Sequence, residues 1–420
     1  MRRLVVLGAG TAGTMVANTL ARRLSDEWII TVVEPSDVHH YQPGYLRLPF
    51  GAGSLKSLSK STRQLLHERV GTVRAAVDMV LPDEKVVVTQ DAERLAYNVL
   101  VIATGVEPRP DQTPGMLDGG EWRRSIHEFF TLDGAVALRA ALADFPGGRV
   151  VVHIVDMPIK CPVAPLEFAF LADDWFQRRG MRGDVELVYV TPLSEAFTKP
   201  IAAQLLGRML DDRGIALQAD FVVERVDCEH KTLVSYDGRE VPFDLLVTVP
   251  LNMGAEYVAR SGLGDDLNLV PVDRNTFLST TFDDIFAIGD ASDIPTSKAG
   301  SVAHFSVEVF VDNLLDHIEG RPMTRAFDGH ANCFIEAGDA KALLIDFNYE
   351  TEPLPGRYPL PRLGPFHLLE ATRVNHWGKL AFRWIYWHVL LPGRRIPLPS
   401  AMSMAGKQTV ATREPERSEV

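Results

Sequence analysis

Leu4-Val5-Val6-Leu7-Gly8-Ala9-Gly10-Thr11-Ala12-Gly13 runs a hydrophobic strand straight into G-x-G-x-x-G. That order admits few folds. Gly8 permits a tight turn, Gly10 lets the backbone approach a pyrophosphate, and Gly13 lets the next helix lie close to the strand. A second buried strand over 150–155 should be built alike, but its turn reads Asp156-Met157-Pro158-Ile159-Lys160-Cys161-Pro162, without a glycine. Met, Pro and Ile side chains obstruct the approach of a diphosphate to the backbone. The chain therefore keeps one dinucleotide loop and has lost a second, and a cysteine stands where the second ligand would lie.

Around these turns strand and helix alternate. The pattern predicts a helix over 14–23 and a strand over 29–34. Glu34 ends that strand about 20 residues past the glycines, where an acid takes a ribose hydroxyl. The second unit continues through a helix over 166–179, a strand over 185–190 and a helix over 201–213. Between Phe221 and Val249 the spacing shortens to hairpins, with Asp237-Gly238 as a turn, and 244–250 reads as a buried strand. A third region opens near Phe327. It holds Cys333, a strand over 342–349, a proline-rich stretch over 353–365, and a last helix over 376–391 cut off by Pro392-Gly393. The final dozen residues are polar and expected to be disordered.

The net charge of −12 argues against nucleic acid as a partner. From Arg357 to Lys407, however, eight basic residues face one acid, Glu370. A basic, aromatic segment on an acidic body suits an anionic surface. In the last helix Lys379, Arg383 and Tyr386 fall at i, i+4 and i+7 and are expected to share a face, with three Trp residues over much of the rest, as in a helix lying among lipid headgroups. No apolar run reaches the roughly 18–20 residues that span a bilayer. Only Arg2 and Arg3 precede the first strand, so no signal peptide is expected and the cytoplasm is the default compartment. The three cysteines are too few for a disulfide framework and too scattered for a metal site.

Three further segments repeat the nucleotide theme. Leu100–Gly105 is a strand ending in Thr104-Gly105. Phe282–Asp290 is a strand ending in Gly289-Asp290, where the glycine gives clearance and the carboxylate can accept a ribityl hydroxyl. Thr296–Ser301 opens a helix whose N-terminus, with Lys298, could face a flavin pyrimidine edge and stabilise the anionic reduced ring. In this order the segments resemble the flavoproteins with two dinucleotide-binding domains. That resemblance implies FAD, held by Gly8, Gly10, Gly13, Glu34, Thr104, Gly105, Gly289, Asp290 and Lys298. The expected fold class is α/β: tandem Rossmann-like domains plus a C-terminal membrane-associating region. The FAD domain is expected over 1–110 and 270–325, the second domain over 111–269, and the C-terminal region over 326–420.

Within that group, Lys160-Cys161-Pro162-Val163-Ala164-Pro165-Leu166-Glu167 resembles the cysteine motif of sulfide:quinone oxidoreductases. Asn332-Cys333-Phe334-Ile335-Glu336 is similar to the segment carrying that family's partner cysteine, and the last helix to its membrane anchor. The resemblance implies sulfide oxidation to polysulfide or persulfide sulfur by Cys161 and Cys333, with electrons passing through FAD to ubiquinone or menaquinone. Glu167 would move a proton, Lys379 would contact a quinone oxygen, and Phe382 would stack on its ring. It places the enzyme peripherally on the cell inner membrane, on the cytoplasmic side, and leaves a homo-oligomer open.

The residues themselves add detail. Cys161 precedes a helix N-terminus and follows Lys160, which predicts a lowered thiol pKa. Cys228, in a hairpin-like stretch, reads as structural. Where relatives carry a further cysteine, Arg124–Phe130 has none, so non-covalent FAD is expected; a histidine found in relatives after the strand at 185–190 is also missing. Two other readings stand beside this one: a type II NADH:quinone oxidoreductase, which would need the glycine-free loop to bind nucleotide, and the flavin subunit of a cytochrome-linked sulfide dehydrogenase.

Overall fold

The structure, a computed structural model, describes residues 1–360, 363–394 and 399–408; the dozen residues expected to be disordered lie outside these. Strand Arg2–Leu7 is central in a five-stranded parallel sheet, between Trp28–Val33 and Val99–Ile102. Val70–Val73 and Ile285–Ala287 form its edges. These strands are runs of Val, Ile and Leu because a parallel sheet is covered on both faces. The following helix spans Thr11–Arg23, three residues earlier than expected, because the glycine turn itself supplies the first helical turn: Thr14 N–H donates to Gly10 O at 3.0 Å. Glu34 falls one residue past its strand.

The second sheet repeats the plan in the order Ile126–His127, Leu245–Val249, Gly148–Ile154, Val185–Val190, Ile215–Gln218, again parallel. Its helices cover Ala164–Arg178 and Pro200–Asp211. Thr232–Ser235 and Glu240–Pro242 pair around Asp237-Gly238 as a hairpin. An antiparallel pair, Val106–Arg109 with Leu251–Gly254, ties the two sheets together.

The C-terminal region forms a four-stranded sheet from Ala331–Glu336, Ala342–Phe347, Phe366–Leu368 and Gly356–Tyr358. The strand bearing Cys333 packs against helices Ala164–Arg178 and Gly300–Ile318, and also against the last helix, Arg373–Ile385. Cys333 thus lies where all three regions meet.

The last helix departs from its expected face. Its α-helical part ends at Ile385 and a π-turn covers Tyr386–Leu390, with Leu391 N–H donating to Tyr386 O at 3.0 Å. A five-residue step rotates the later side chains away from the positions an α-helix would give them. Lys379 and Tyr386 point inward, while Arg383 is exposed and reaches Ser57 Oγ. The tryptophans divide as well. Trp377 and Trp384 are 65% and 62% exposed, with Leu380 between them, while Trp387 is buried against His39 and Tyr41. Among the described residues no helix is long and apolar enough to cross a membrane.

Candidate active site

The first glycine turn is shaped by what its side chains must avoid. A Cβ on Gly8 (φ +94°) would lie 2.7 Å from Ala103 O, and one on Gly13 would strike Gly8 O. These contacts pin the strand, turn and helix together. Gly10 differs: a Cβ there would meet nothing within 4 Å, and the same holds at Gly105. The open side of the turn suits a pyrophosphate, approached by the start of helix Thr11–Arg23. Glu34 hangs over the turn, its Oε2 accepting from Ala9 N–H at 2.8 Å and its Oε1 from Ser36 N–H at 2.9 Å. Thr104 Oγ1 lies 3.2 Å from Tyr257 OH. Burial raises the Asp290 carboxyl pKa, opposed by Lys298 and Lys160 nearby. The Lys298 ammonium donates to Asp290 O and Ser292 O, each at 2.9 Å, so it braces the Gly289-Asp290 turn. Together these residues fit FAD.

The second turn is closed. Met157 N–H donates to Asp156 Oδ1 at 2.7 Å, Lys160 N–H to Asn252 Oδ1 at 2.9 Å, and Cys161 N–H to Lys298 O at 2.7 Å. Ala164 N–H is taken by Cys161 O at 2.8 Å. Amides that would cradle a phosphate are thus satisfied within the protein, and Ile159 and Val163 fill the space as fully buried side chains. The turn even borrows from the FAD domain, because Lys298 O belongs to the segment that braces Asp290.

Cys161 emerges from this turn in a left-handed conformation (φ 48°), and both it and Cys333 are free thiols. The expected lowering of its pKa does not occur. Burial pushes the Cys161 thiol well up, and Glu167 and Cys333 add to this, outweighing Lys379 and the helix-end amide. Lys160 is not the source of positive potential: its ammonium lies 3.3 Å from Gln42 Oε1, and burial lowers its own pKa. Cys333 is likewise pushed up to about 12, first by burial and then by Glu167. Cys228 donates from Sγ to Gly115 O at 3.0 Å.

Glu167 is 1% exposed, and burial raises its pKa against the pull of Lys379. Its Oε1 accepts from the Lys379 ammonium and, at 2.7 Å, from Glu336 N–H. Lys379 also donates to Phe334 O at 3.2 Å. The helix of the second domain and the last helix therefore meet in a buried ion pair beside both cysteines. Phe382 is half-buried, packed against the main core.

Sequence reasoning missed the groups that complete this cluster. Glu336, also 1% exposed, accepts from His376 Nδ1 at 2.8 Å, and Arg47 Nη1 lies 3.5 Å from its other oxygen. Tyr41 is buried among Arg383, Cys161, Glu167 and Arg47, all of which act on its hydroxyl. Farther along, His39 Nδ1 donates to Ala9 O at 2.8 Å, so its Nε2 must accept from Tyr386 OH at 2.6 Å, and Thr11 Oγ1 donates to that hydroxyl at 2.9 Å. The end of the last helix is thereby bonded to the FAD glycine turn. Among the described residues no cluster suits a metal ion.

The chain is similar to known proteins along most of its length. The family model described as pyridine nucleotide-disulphide oxidoreductase matches residues 2–305. The mitochondrial sulfide:quinone oxidoreductase of Dictyostelium discoideum is 26% identical over 400 residues, spanning 93% of this chain and 86% of that protein. Its namesake in Schizosaccharomyces pombe is 27% identical over 414 residues, spanning 92% and 89%. Among solved structures, the sulfide:quinone oxidoreductase of Aquifex aeolicus superposes with a TM-score of 0.79 at 21% identity, covering 94% of this chain and 92% of that one. The chain belongs to the pyridine nucleotide-disulphide oxidoreductase family and is an FAD-dependent oxidoreductase.

Proposed function

We propose that this enzyme oxidises sulfide to polysulfide or persulfide sulfur with Cys161 and Cys333 and passes the electrons through non-covalently bound FAD to a membrane quinone. The observation that carries the proposal is the second turn: its Met157, Lys160, Cys161 and Ala164 amides are bonded inside the protein, and Cys161 lies close enough to Cys333 and Glu167 to feel both. A nucleotide reductant has no cradle there, which weighs against the NADH:quinone reading.

In the proposed reaction, HS⁻ attacks a sulfur of a Cys161–Cys333 bridge. The S–S bond breaks, one cysteine becomes a persulfide and the other leaves as a thiolate. Because burial raises both thiol pKa values, the leaving thiolate is high in energy and is a strong electron donor. As the deprotonated persulfide sulfur bonds to that thiolate sulfur, the bridge re-forms one sulfur longer and two electrons are released, for which FAD, when bound, would supply the acceptor. Glu167, held near both sulfurs and with its own pKa raised, takes the proton of the persulfide; Lys379 offsets the charge. Two of the three Lys379 donors are engaged, which leaves one for a quinone oxygen, and Phe382 would face the ring.

The outward stripe of Trp377, Leu380 and Trp384 would rest in the headgroup zone of the inner membrane on its cytoplasmic side, with Arg383 beside it. The test is to mix the oxidised protein anaerobically with sulfide and, separately, with NADH, and to follow the flavin absorbance. Bleaching by sulfide within a turnover time and none by NADH is expected. Bleaching by NADH alone would overturn the proposal.

A further inference from the structure

Glu336 and Arg47 present an unusual pair of buried atoms. Glu336 Oε1 and Arg47 Nη1 are both enclosed and neither has a hydrogen-bond partner, although they lie 3.5 Å apart. That separation is beyond a hydrogen bond, for which 2.7–3.2 Å is usual. Buried polar atoms are satisfied in nearly all native proteins, so an orphan donor beside an orphan acceptor calls for a third polar partner shared by both. Such a group must accept from Arg47 and be able to donate to Glu336. A carbonyl oxygen that becomes a hydroxyl does both in turn, and this is what a quinone oxygen does on reduction.

The surroundings favour a quinone. Arg47 closes the short helix Gln42–Arg47, in which Tyr45 and Leu46 are buried, with Phe50 packed against the core just beyond. Tyr41, at the start of that helix, faces Arg47 and Cys161 alike, so the orphan pair shares the neighbourhood of the redox cysteines. His376 sits on the last helix next to Trp377, the most exposed residue of the outward stripe. A ligand arriving from lipid along that helix would reach His376 and Glu336 first.

We propose that Arg47 and Glu336 hold one oxygen of the quinone and that His376 relays its proton through Glu336. The proposal rests on the quinone-reducing function above. A quinone takes up two electrons and two protons to become hydroquinone. FAD, when bound and reduced, would supply two electrons and one proton as a hydride equivalent. The second proton passes from His376 to Glu336 and from Glu336 to the quinone oxygen, and His376 regains a proton from solvent, to which its side chain is 11% open. The charged groups facing the relay are Arg47 from the short helix, Glu167 from the second domain, Lys379 from the last helix, and the Tyr41 hydroxyl. Lys379 and Phe382 remain for the other oxygen and the ring.

The test uses the FAD-loaded protein reduced with dithionite, so that sulfide chemistry is bypassed, and a short-chain benzoquinone as oxidant. Quenching of tryptophan fluorescence in the oxidised protein reads quinone binding by itself. Arg47→Met should weaken binding at least tenfold. His376→Ala should bind quinone normally but reoxidise at least tenfold more slowly, and imidazole in the buffer should restore the rate. Binding by Arg47→Met equal to wild type would overturn the site and leave a trapped water between the two orphans. Slow reoxidation of His376→Ala that imidazole does not restore would overturn the relay. If wild type binds and reduces the quinone after dithionite but is not reduced by sulfide, the sulfide reading fails while this site stands; if wild type does not reduce the quinone at all, both fail.

Discussion

The turns at 8–13 and 156–163 follow equivalent strands and precede equivalent helices, yet they have opposite interiors. In the first, glycines crowd the backbone on one side and leave the other side of Gly10 empty. In the second, side chains and carbonyls from three segments occupy the amides, and a left-handed cysteine replaces the ligand. On the proposed function, one turn receives a molecule and the other supplies a reactive atom. If that function holds, a nucleotide fold has changed from binding a reductant to being part of the reductant's pathway, its amides having found new partners.

The difference can be broken most severely at the sulfurs. Cys161→Ser or Cys333→Ser should slow sulfide-dependent flavin bleaching by about 10³-fold or more while the protein stays yellow, as measured by anaerobic stopped-flow absorbance. Normal rates in both variants would reduce the second turn to a filled relic. Next comes the ion pair behind that turn. Lys379→Met leaves the Glu167 carboxylate buried without its counter-charge and should cost about 3–5 kcal/mol in denaturant unfolding. Adding Glu167→Gln should recover part of this loss.

Each turn also has a buried neutral histidine at its base, which allows a test by pH. His39, bonded to Ala9 O, is pushed down to about 4 by burial, and His153, in the strand leading to the second turn, to about 3. Unfolding frees both to protonate near 6.5. Their contribution to stability is complete above that pH and is lost as pH falls through the folded values. Calorimetry should therefore show a loss on the order of 3 kcal/mol per histidine between about pH 6.5 and 4, with His153 extending it lower. Gly10→Ala should leave the apo-protein melting temperature unchanged yet weaken FAD binding at least tenfold; Asn252→Ala, freeing one amide in the second turn, should gain no NADH binding by titration. Smallest of all, Trp377→Asp with Trp384→Asp should shift stability by less than about 0.5 kcal/mol and release the protein from anionic vesicles in a flotation assay.

Much of the fold was legible in the chain. Gly8, Gly10 and Gly13, the Thr104-Gly105 and Gly289-Asp290 turns, and the glycine-free 156–162 stretch carry their meaning locally, because each is a demand on a few consecutive residues. The hairpin at Asp237-Gly238 was readable for the same reason. The parts that stayed hidden depend on distance. Glu336, His376 and Arg47 join across nearly the whole chain, and no spacing rule connects them. Helix-end position suggested a more acidic Cys161 thiol, but enclosure between regions reverses the sign. Lys379 and Tyr386 do share a face, but that face turns inward to Glu167 and His39, partners no local spacing reveals, and Arg383 falls at its exposed edge.

The bond from Tyr386 to His39 and Thr11 changes how the last helix should be regarded. Trp387, Leu390 and Leu391 lie in the core, and Asn18 of the first helix donates to Leu391 O at 2.7 Å. The segment that would meet the membrane is thus a keystone of the cofactor domain. Shortening the chain to obtain a lipid-free enzyme would unseat the flavin fold itself. Detergent-free preparations are better sought by replacing the two outward tryptophans than by cutting before them.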